Sequence, residues 1–243
     1  MSNPSVAVIT CTVGRGHIDQ AIKSIEQQTY NNINHYIVTD AAMTEAQFTK
    51  LRKKFKAKDN RYWFRWPTKV GGVGWECRRL WSALAPLINE QAACFLNDDD
   101  WYDPLHIEGM IGGMQQGFDW VTSFRKIYDE DGTYLFDDNC ESLGEAHTVW
   151  NMPWQHFAEQ NSILMGTYCY RAIAPYFCMP GWGNDRETYQ QLKRLYPKVA
   201  TCAQYTMCFR LGGNQMSVSK KYFEEGNEFM KLKYGEKMPW LPK

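Results

Sequence analysis

Apolar and polar positions follow two different periods along the first hundred residues. "SVAVITC" at 5–11 is a short apolar run rich in β-branched residues, the pattern of a strand buried on both faces. "TVGRG" breaks it. Over residues 17–28, Ile18, Ala21, Ile22 and Ile25 recur at helical spacing, so one face of a helix is apolar. "TYNN" ends that helix, and "INHYIVTD" predicts a second strand ending at Asp40. Strand, helix and strand at this spacing form a βαβ unit, which implies a parallel sheet with a right-handed crossover. Residues 44–58 predict a helix with a basic face, "RYWFRW" a third strand, and 75–89 a helix preceded by "GGVG". "AACFL" predicts a fourth strand. In open α/β sheets ligands bind beyond the C-terminal strand ends. Thr12 to Arg15, Asp40 and Asp98 to Asp100 all fall at such ends.

The second half has a different texture. "DWVTSFRKIYDEDGTYLFDD" predicts two strands joined at Asp131-Gly132. Residues 140–180 are rich in Trp, Tyr, His, Met and Pro. A helix is predicted from about Asp185, a late strand at "TCAQYTMCFRL", and a polar tail after Val218. There is no repeat or low-complexity linker. One domain is therefore expected over 1–218, with residues 1–104 as its nucleotide-binding half, 105–218 as its acceptor-side half, and 219–243 as a tail.

Composition narrows the function classes. The chain has 243 residues, 44% hydrophobic and 15% aromatic, enough for a substantial core. Formal net charge is zero, so no global field draws in nucleic acid or anionic membrane. The stretch "KLRKKFKAKDNRYWFRW" mixes basic and aromatic residues, but a solvated helix followed by a buried strand accounts for it. The eight cysteines include no CxxC pair, which argues against a zinc ribbon and for buried free thiols in a reducing cytoplasm. Cys169 and Cys178 have no recognisable base partner, so thiol catalysis is not expected. No secretory leader and no membrane-length apolar run is seen. Gly14-x-Gly16 lacks the third glycine of a dinucleotide fingerprint, since Asp19 stands there.

The sharpest chemical signal is "CFLNDDDWYDP" at 94–104. Neighbouring carboxylates about 5 Å apart repel by roughly 1 kcal/mol in water and about 3 kcal/mol at an effective dielectric of 20. A hard divalent cation beside a ligand crevice would offset that repulsion, and Mg²⁺ and Mn²⁺ commonly share carboxylates with phosphates. The alternative is a solvated acidic loop in which Asp103 caps a helix that begins near Pro104.

The order of these motifs resembles the family-two, GT-A type glycosyltransferases. "VAVITCTVGRGHIDQAIKSIEQQTYNNINHYIVTD" is similar to that family's opening, with Thr12-Val13-Gly14-Arg15 as the turn and Gln28-Thr29-Tyr30 as the next match. "ACFLNDDDWYDPLHIEGM" resembles its D-x-D strand, "GWGNDRETYQQL" the segment that carries the base, and "FRLGGNQMS" a late Arg-containing segment. The resemblance implies a GT-A-like open twisted mixed sheet flanked by helices. It also implies inverting, metal-dependent sugar transfer from a nucleoside-diphosphate sugar, UDP favoured, to a hydroxyl acceptor. Thr12, Val13, Gly14, Arg15 and Asp40 would serve the nucleotide, and Arg78 or Arg79 the diphosphate. Asn97, Asp98 and Arg210 would lie by the donor. Asp99, with Asp98 and Asp100, would hold Mn²⁺ or Mg²⁺, and Asp185 would be the base.

The chain departs from the family at three places. Asn97 holds the first D-x-D position, Asn184 replaces a Glu, and Gly212-Gly213 stand where many relatives carry a metal-binding His. Asp185 alone also reads as a carboxylate at the start of a helix. Trp154, His156 and Trp182, in aromatic-rich surroundings, are candidate acceptor contacts. A nucleotidyltransferase and a non-catalytic nucleotide-sugar-binding protein are the rival readings.

Overall fold

The computed structural model of the protein describes residues 3–55, 57–70, 77–140, 158–178, 184–212 and 219–235. Its centre is one mixed sheet of nine strands. The first four along the chain, β1 (Val6–Cys11), β2 (Ile33–Thr39), β3 (Arg61–Arg65) and β4 (Ala92–Asn97), are mutually parallel, and two later strands, a parallel pair, run in the same direction. The others are β5 (Trp101–Tyr102), β6 (Trp120–Tyr128), β7 (Tyr134–Asp137), β8 (Ile163–Gly166) and β9 (Val199–Arg210). The order is β3-β2-β1-β4-β8-β6-β9-β5, with β7 paired to β6. β8 is antiparallel to both β4 and β6, which makes the sheet mixed. The hairpin predicted at Asp131-Gly132 is the β6–β7 pair, and Gly132 takes the positive φ of its turn.

Both faces of the sheet are covered, as the unbroken apolar strands require. Along β1, Val6 and Val8 point into one cluster, with Ile18, Ala21, Ile22 and Ile25 of α1 (Ile18–Glu26) and Ile107 and Met110 of α4 (His106–Met114). Ala7, Ile9 and Cys11 point the other way. They meet Leu80, Trp81 and Leu84 of α3 (Arg78–Leu84), Tyr170 and Ile173 of α5 (Thr167–Ile173), and Leu192 of α6 (Asn184–Leu195). The period-two alternation of a buried strand thus splits one run between two layers.

Some boundaries differ from the sequence expectation. α2 (Glu45–Lys54) starts behind a capping box of Thr44 and Gln47 and stops four residues short of 58. The helix expected over 75–89 is described from Arg78 and tightens into a 3₁₀ turn at Ala85–Leu87, where Pro86 has no N–H to continue it. β8 and α5 lie in the aromatic-rich stretch for which no elements were predicted. The supposed polar tail contains α7 (Lys220–Tyr234), whose Phe223 and Met230 pack with Ile127 of β6.

α7 packs by Phe223 against a buried ion pair between β6 and the residue after β7. Arg125 and Asp138, exposed by only 2% and 0%, pair at 2.8 Å. The Arg125 guanidinium lies 5.0 Å from the Phe209 ring and 5.4 Å from the Phe223 ring. Asp138→Ala is expected to lower unfolding stability by about 3–5 kcal/mol in urea titration, because it strips a buried guanidinium of its carboxylate. A loss under 1 kcal/mol would show that the pair does not anchor this corner.

Candidate functional site

The chain leaves β1 on one side to reach β2 and returns on the other side as β4, so the sheet order reverses between β1 and β4. In sheets of this kind such a switch point, at the C-terminal strand ends, is where a ligand crevice forms. The register places Cys11 opposite Asn97, so the next residues, Thr12 and Asp98, are neighbours. The Thr12 hydroxyl donates to Asp98 Oδ2 at 2.6 Å and accepts from the Gly14 N–H at 2.8 Å. Gly14 has φ +84°, which an L side chain rarely adopts, and a Cβ there would lie 2.9 Å from Met43 Cε. The turn that follows carries Arg15 back over the crevice.

The three aspartates are all buried, at 5%, 8% and 1% exposure for Asp98, Asp99 and Asp100. They are not equivalent. Asp99 Oδ2 pairs with Arg15 Nη1 at 3.0 Å, and Asp98 Oδ1 lies 3.8 Å from the same nitrogen. Burial pushes the Asp98 carboxyl above its ordinary range. The Thr12 hydroxyl and Arg15 pull it down, Asp99 pushes it up, and the Val13 N–H pulls it down again. Asp100 was expected to share the metal site, but its carboxylate is taken up elsewhere. It accepts from the Arg210 N–H at 2.9 Å, Asn161 Nδ2 at 2.7 Å and Asn97 Nδ2 at 3.3 Å. Burial, with the charges of Asp99 and Glu159, raises its pKa well above the usual value, and the Arg210 and Asn97 donors oppose this.

Arg210, expected beside the donor, is a clamp on the acidic turn. Only 3% exposed, it donates from Nε to the Asp99 carbonyl at 3.0 Å and from Nη1 to the Glu130 carbonyl at 2.7 Å. Its Nη2 reaches Gln20 Oε1, and its guanidinium lies 4.9 Å from the Trp101 ring centroid. The exit of the turn is pinned from α1's side. Gln28 Nε2 donates to the Asp103 carbonyl at 2.8 Å, and Gln28 Oε1 accepts from the Ile107 N–H at 3.0 Å. Asp103 does not cap α4 with its side chain. Its carboxylate pairs with Lys126 instead. Arg210→Lys is expected to cost about 1–3 kcal/mol in denaturant unfolding, because a single ammonium cannot replace the fork.

The remaining expected residues are distributed as follows. Asp40 is buried, and its oxygens accept from the N–H groups of Ala42 and Val70, each at 2.8 Å. It therefore shapes the crevice wall. Arg78 and Arg79 open α3, and the carbonyl of the preceding Cys77 lies 3.9 Å from Cys11 Sγ, beside the end of β1. Asp185 is the second residue of α6, and its side chain lies outside the described set. Trp154, His156 and Trp182 lie outside the described residues. All eight cysteines are free thiols, and burial pushes Cys94 and Cys169 up to about 12, which removes thiolate chemistry there. Sequence reasoning missed Gln20, Glu130, Glu159 and Asn161, because each reaches the turn only through tertiary packing.

The donor set fits one cation held by two carboxylates, Asp98 and Asp99, which already gather around a single cationic group. It does not fit a cation shared by all three aspartates. Among the described residues, no three His, Cys, Asp or Glu side chains converge as a metal cluster. Two carboxylates plus substrate phosphate oxygens and water are nonetheless a common environment for Mg²⁺.

No family model and no curated protein matches the sequence. Solved structures do match. The crystal structure of S. aureus TarS 1-349 superposes with a TM-score of 0.64 at 13% identity, covering 96% of this chain and 66% of that one. The same TarS segment in complex with UDP gives 0.62 at 12% identity, again covering 96% and 66%. Its complex with UDP-GlcNAc gives 0.62 at 13%, covering 96% and 67%. The fold is GT-A-like. The chain spans about two thirds of the TarS segment's length in these structures and 40% of a longer TarS structure. Beside this GT-A-like sheet, the turn after β1 depends on the positive φ of Gly14. Gly14→Ala is expected to cost about 1–2 kcal/mol by thermal unfolding, from the left-handed backbone it must adopt.

Proposed function

We propose that the chain is a glycosyltransferase that moves a sugar from a nucleoside-diphosphate sugar to an acceptor hydroxyl with inversion. The observation that carries this reading is the crevice where Thr12, Arg15, Asp98 and Asp99 meet at the sheet's switch point. UDP is the favoured nucleotide, supported by the UDP and UDP-GlcNAc complexes of TarS. In this reading Thr12, Val13, Gly14 and Asp40 shape the base and ribose side, and Arg15, Arg78 and Arg79 face the diphosphate. Asp98 and Asp99 hold Mn²⁺ or Mg²⁺. Asn97, Asp100 and Arg210 hold the two ligating aspartates in place rather than touching the donor. Trp154, His156 and Trp182 are proposed for the acceptor side. A reducing, cytoplasmic setting agrees with the free thiols. No helix among the described residues is long and apolar enough to cross a membrane.

The chemistry is a single displacement. The acceptor oxygen bonds to the anomeric carbon as its proton passes to Asp185, which must lie within about 3 Å in the complex. The bond from that carbon to the diphosphate oxygen breaks, and the nucleoside diphosphate leaves with the electron pair. A divalent cation, when bound, stabilises the charge that develops on the leaving diphosphate. One base with a separate acidic pair suits this displacement, whereas a glycosidase needs two carboxyls flanking one bond.

Thermal unfolding with UDP and Mn²⁺ tests the binding half. UDP at about 100 times its Kd should stabilise the fold by about 2.7 kcal/mol. Chelator or Asp99→Ala should remove most of that gain, and an unchanged shift would remove Asp99 from the site. Asp185→Asn should keep UDP binding and lower transfer by about 10²–10⁴-fold. Full activity in that variant would place the base elsewhere. Release of pyrophosphate instead of nucleoside diphosphate would identify nucleotidyl transfer.

A further inference from the structure

We infer that Arg15 is the resident cation of the Asp98–Asp99 pair, and that a divalent cation binds by displacing it. The inference rests on the proposed reading of this pair as a metal and diphosphate site, and it adds how that site is kept before ligand arrives. Two buried carboxylates side by side cannot both stay ionised without a positive partner. Among the described residues, Arg15 is the side-chain cation paired to either of them.

The way Arg15 sits argues for exchange. One nitrogen, Nη1, serves both contacts, at 3.0 Å to Asp99 and 3.8 Å to Asp98. That is a single-point contact, not the two-pronged fork of a permanent arginine–carboxylate pair. The Arg15 side chain is 39% exposed, against 7% for Asp98 and 11% for Asp99. Arg15 can regain water when it leaves. The aspartates are held where they stand: the Asp98 carboxylate by the Thr12 hydroxyl, and the backbone of Asp99 by Arg210.

On the oxygens that Arg15 already faces, charge opposes joint occupancy. A divalent cation would bond these carboxylate oxygens at about 2.0–2.1 Å for Mg²⁺. The guanidinium already covers Asp99 Oδ2 and approaches Asp98 Oδ1, so the two cations would stand almost in contact. Like charges that close repel strongly even with partial solvent screening. One must go, and the exposed, singly held arginine is the one able to move.

Mn²⁺ alone is the probe, with free ion measured by its paramagnetic resonance signal, so no turnover is needed. Arg15→Ala should bind Mn²⁺ about tenfold more tightly than the wild type, the size expected for removing one screened charge at contact distance. Arg15→Lys keeps the charge and should stay close to the wild type. Equal or weaker Mn²⁺ affinity in Arg15→Ala would overturn the exchange while leaving the metal reading in place. If neither protein binds Mn²⁺, with or without UDP, the exchange and the metal reading fall together.

Discussion

Three adjacent carboxylates withdrawn from water are the constraint on which this structure turns. Ionised side chains do not stay buried without compensation. Each aspartate is compensated by a different part of the chain. Asp98 takes a hydroxyl from the end of β1, Asp99 takes a guanidinium from the turn beyond it, and Asp100 takes neutral donors from β4, β9 and the 3₁₀ turn at Gln160–Ser162. The β1–β4 register, the arrival of β9 and the short turn before β8 can therefore be read as ways of delivering polar partners to one strand end. The apolar layers on either side hold those deliveries in position.

The hydrogen bonds and ion pairs separate two aspartates that share a partly exposed cation from a third that is enclosed by neutral donors. Asp98 and Asp99 share one cation that solvent can reach. Asp100 sits among amides and a backbone N–H, held as firmly as a core residue. Arg210 belongs with Asp100, because its donors go to a backbone carbonyl of the turn, a carbonyl of the β6–β7 hairpin and a side chain of α1. Such a residue decides where the turn's backbone stands, and through it where the aspartate side chains stand.

Much of the fold was legible in the sequence. The unbroken apolar run "VAVITC" identifies β1 because both faces of that strand are covered, and the helical spacing of Ile18, Ala21, Ile22 and Ile25 identifies α1 because burial there follows one face. Asp131-Gly132 marks the hairpin because few residue pairs suit that turn. The motif order grouped Thr12, Arg15, Asp98 and Asp99 as candidates, and the fold brings these four together, but no motif assigned their bonds. Whether Asp100 or Arg15 faces the crevice depends on rotamers and on partners 61 and 84 residues away, which no local pattern encodes. β8 and α5 were missed because a four-residue strand and a seven-residue helix are too short to show a period. α7 was read as a tail because its few apolar residues are spread among many charges.

Gln28, in the stretch Gln28-Thr29-Tyr30, bonds backbone groups of Ser24, Asp103 and Ile107 rather than the acidic side chains. It stitches the exit of their turn to the start of α4 while Arg210 holds the entry. The acidic wall of the crevice is thus fastened at both ends, and the opposite wall hangs on a glycine-containing turn whose Val13 and Arg15 reach solvent. The two walls differ in charge and in exposure. An arriving anion would meet buried negative charge on one side and the partly exposed positive charge of Arg15 on the other, so first contact falls to the five residues from Thr12 to Gly16.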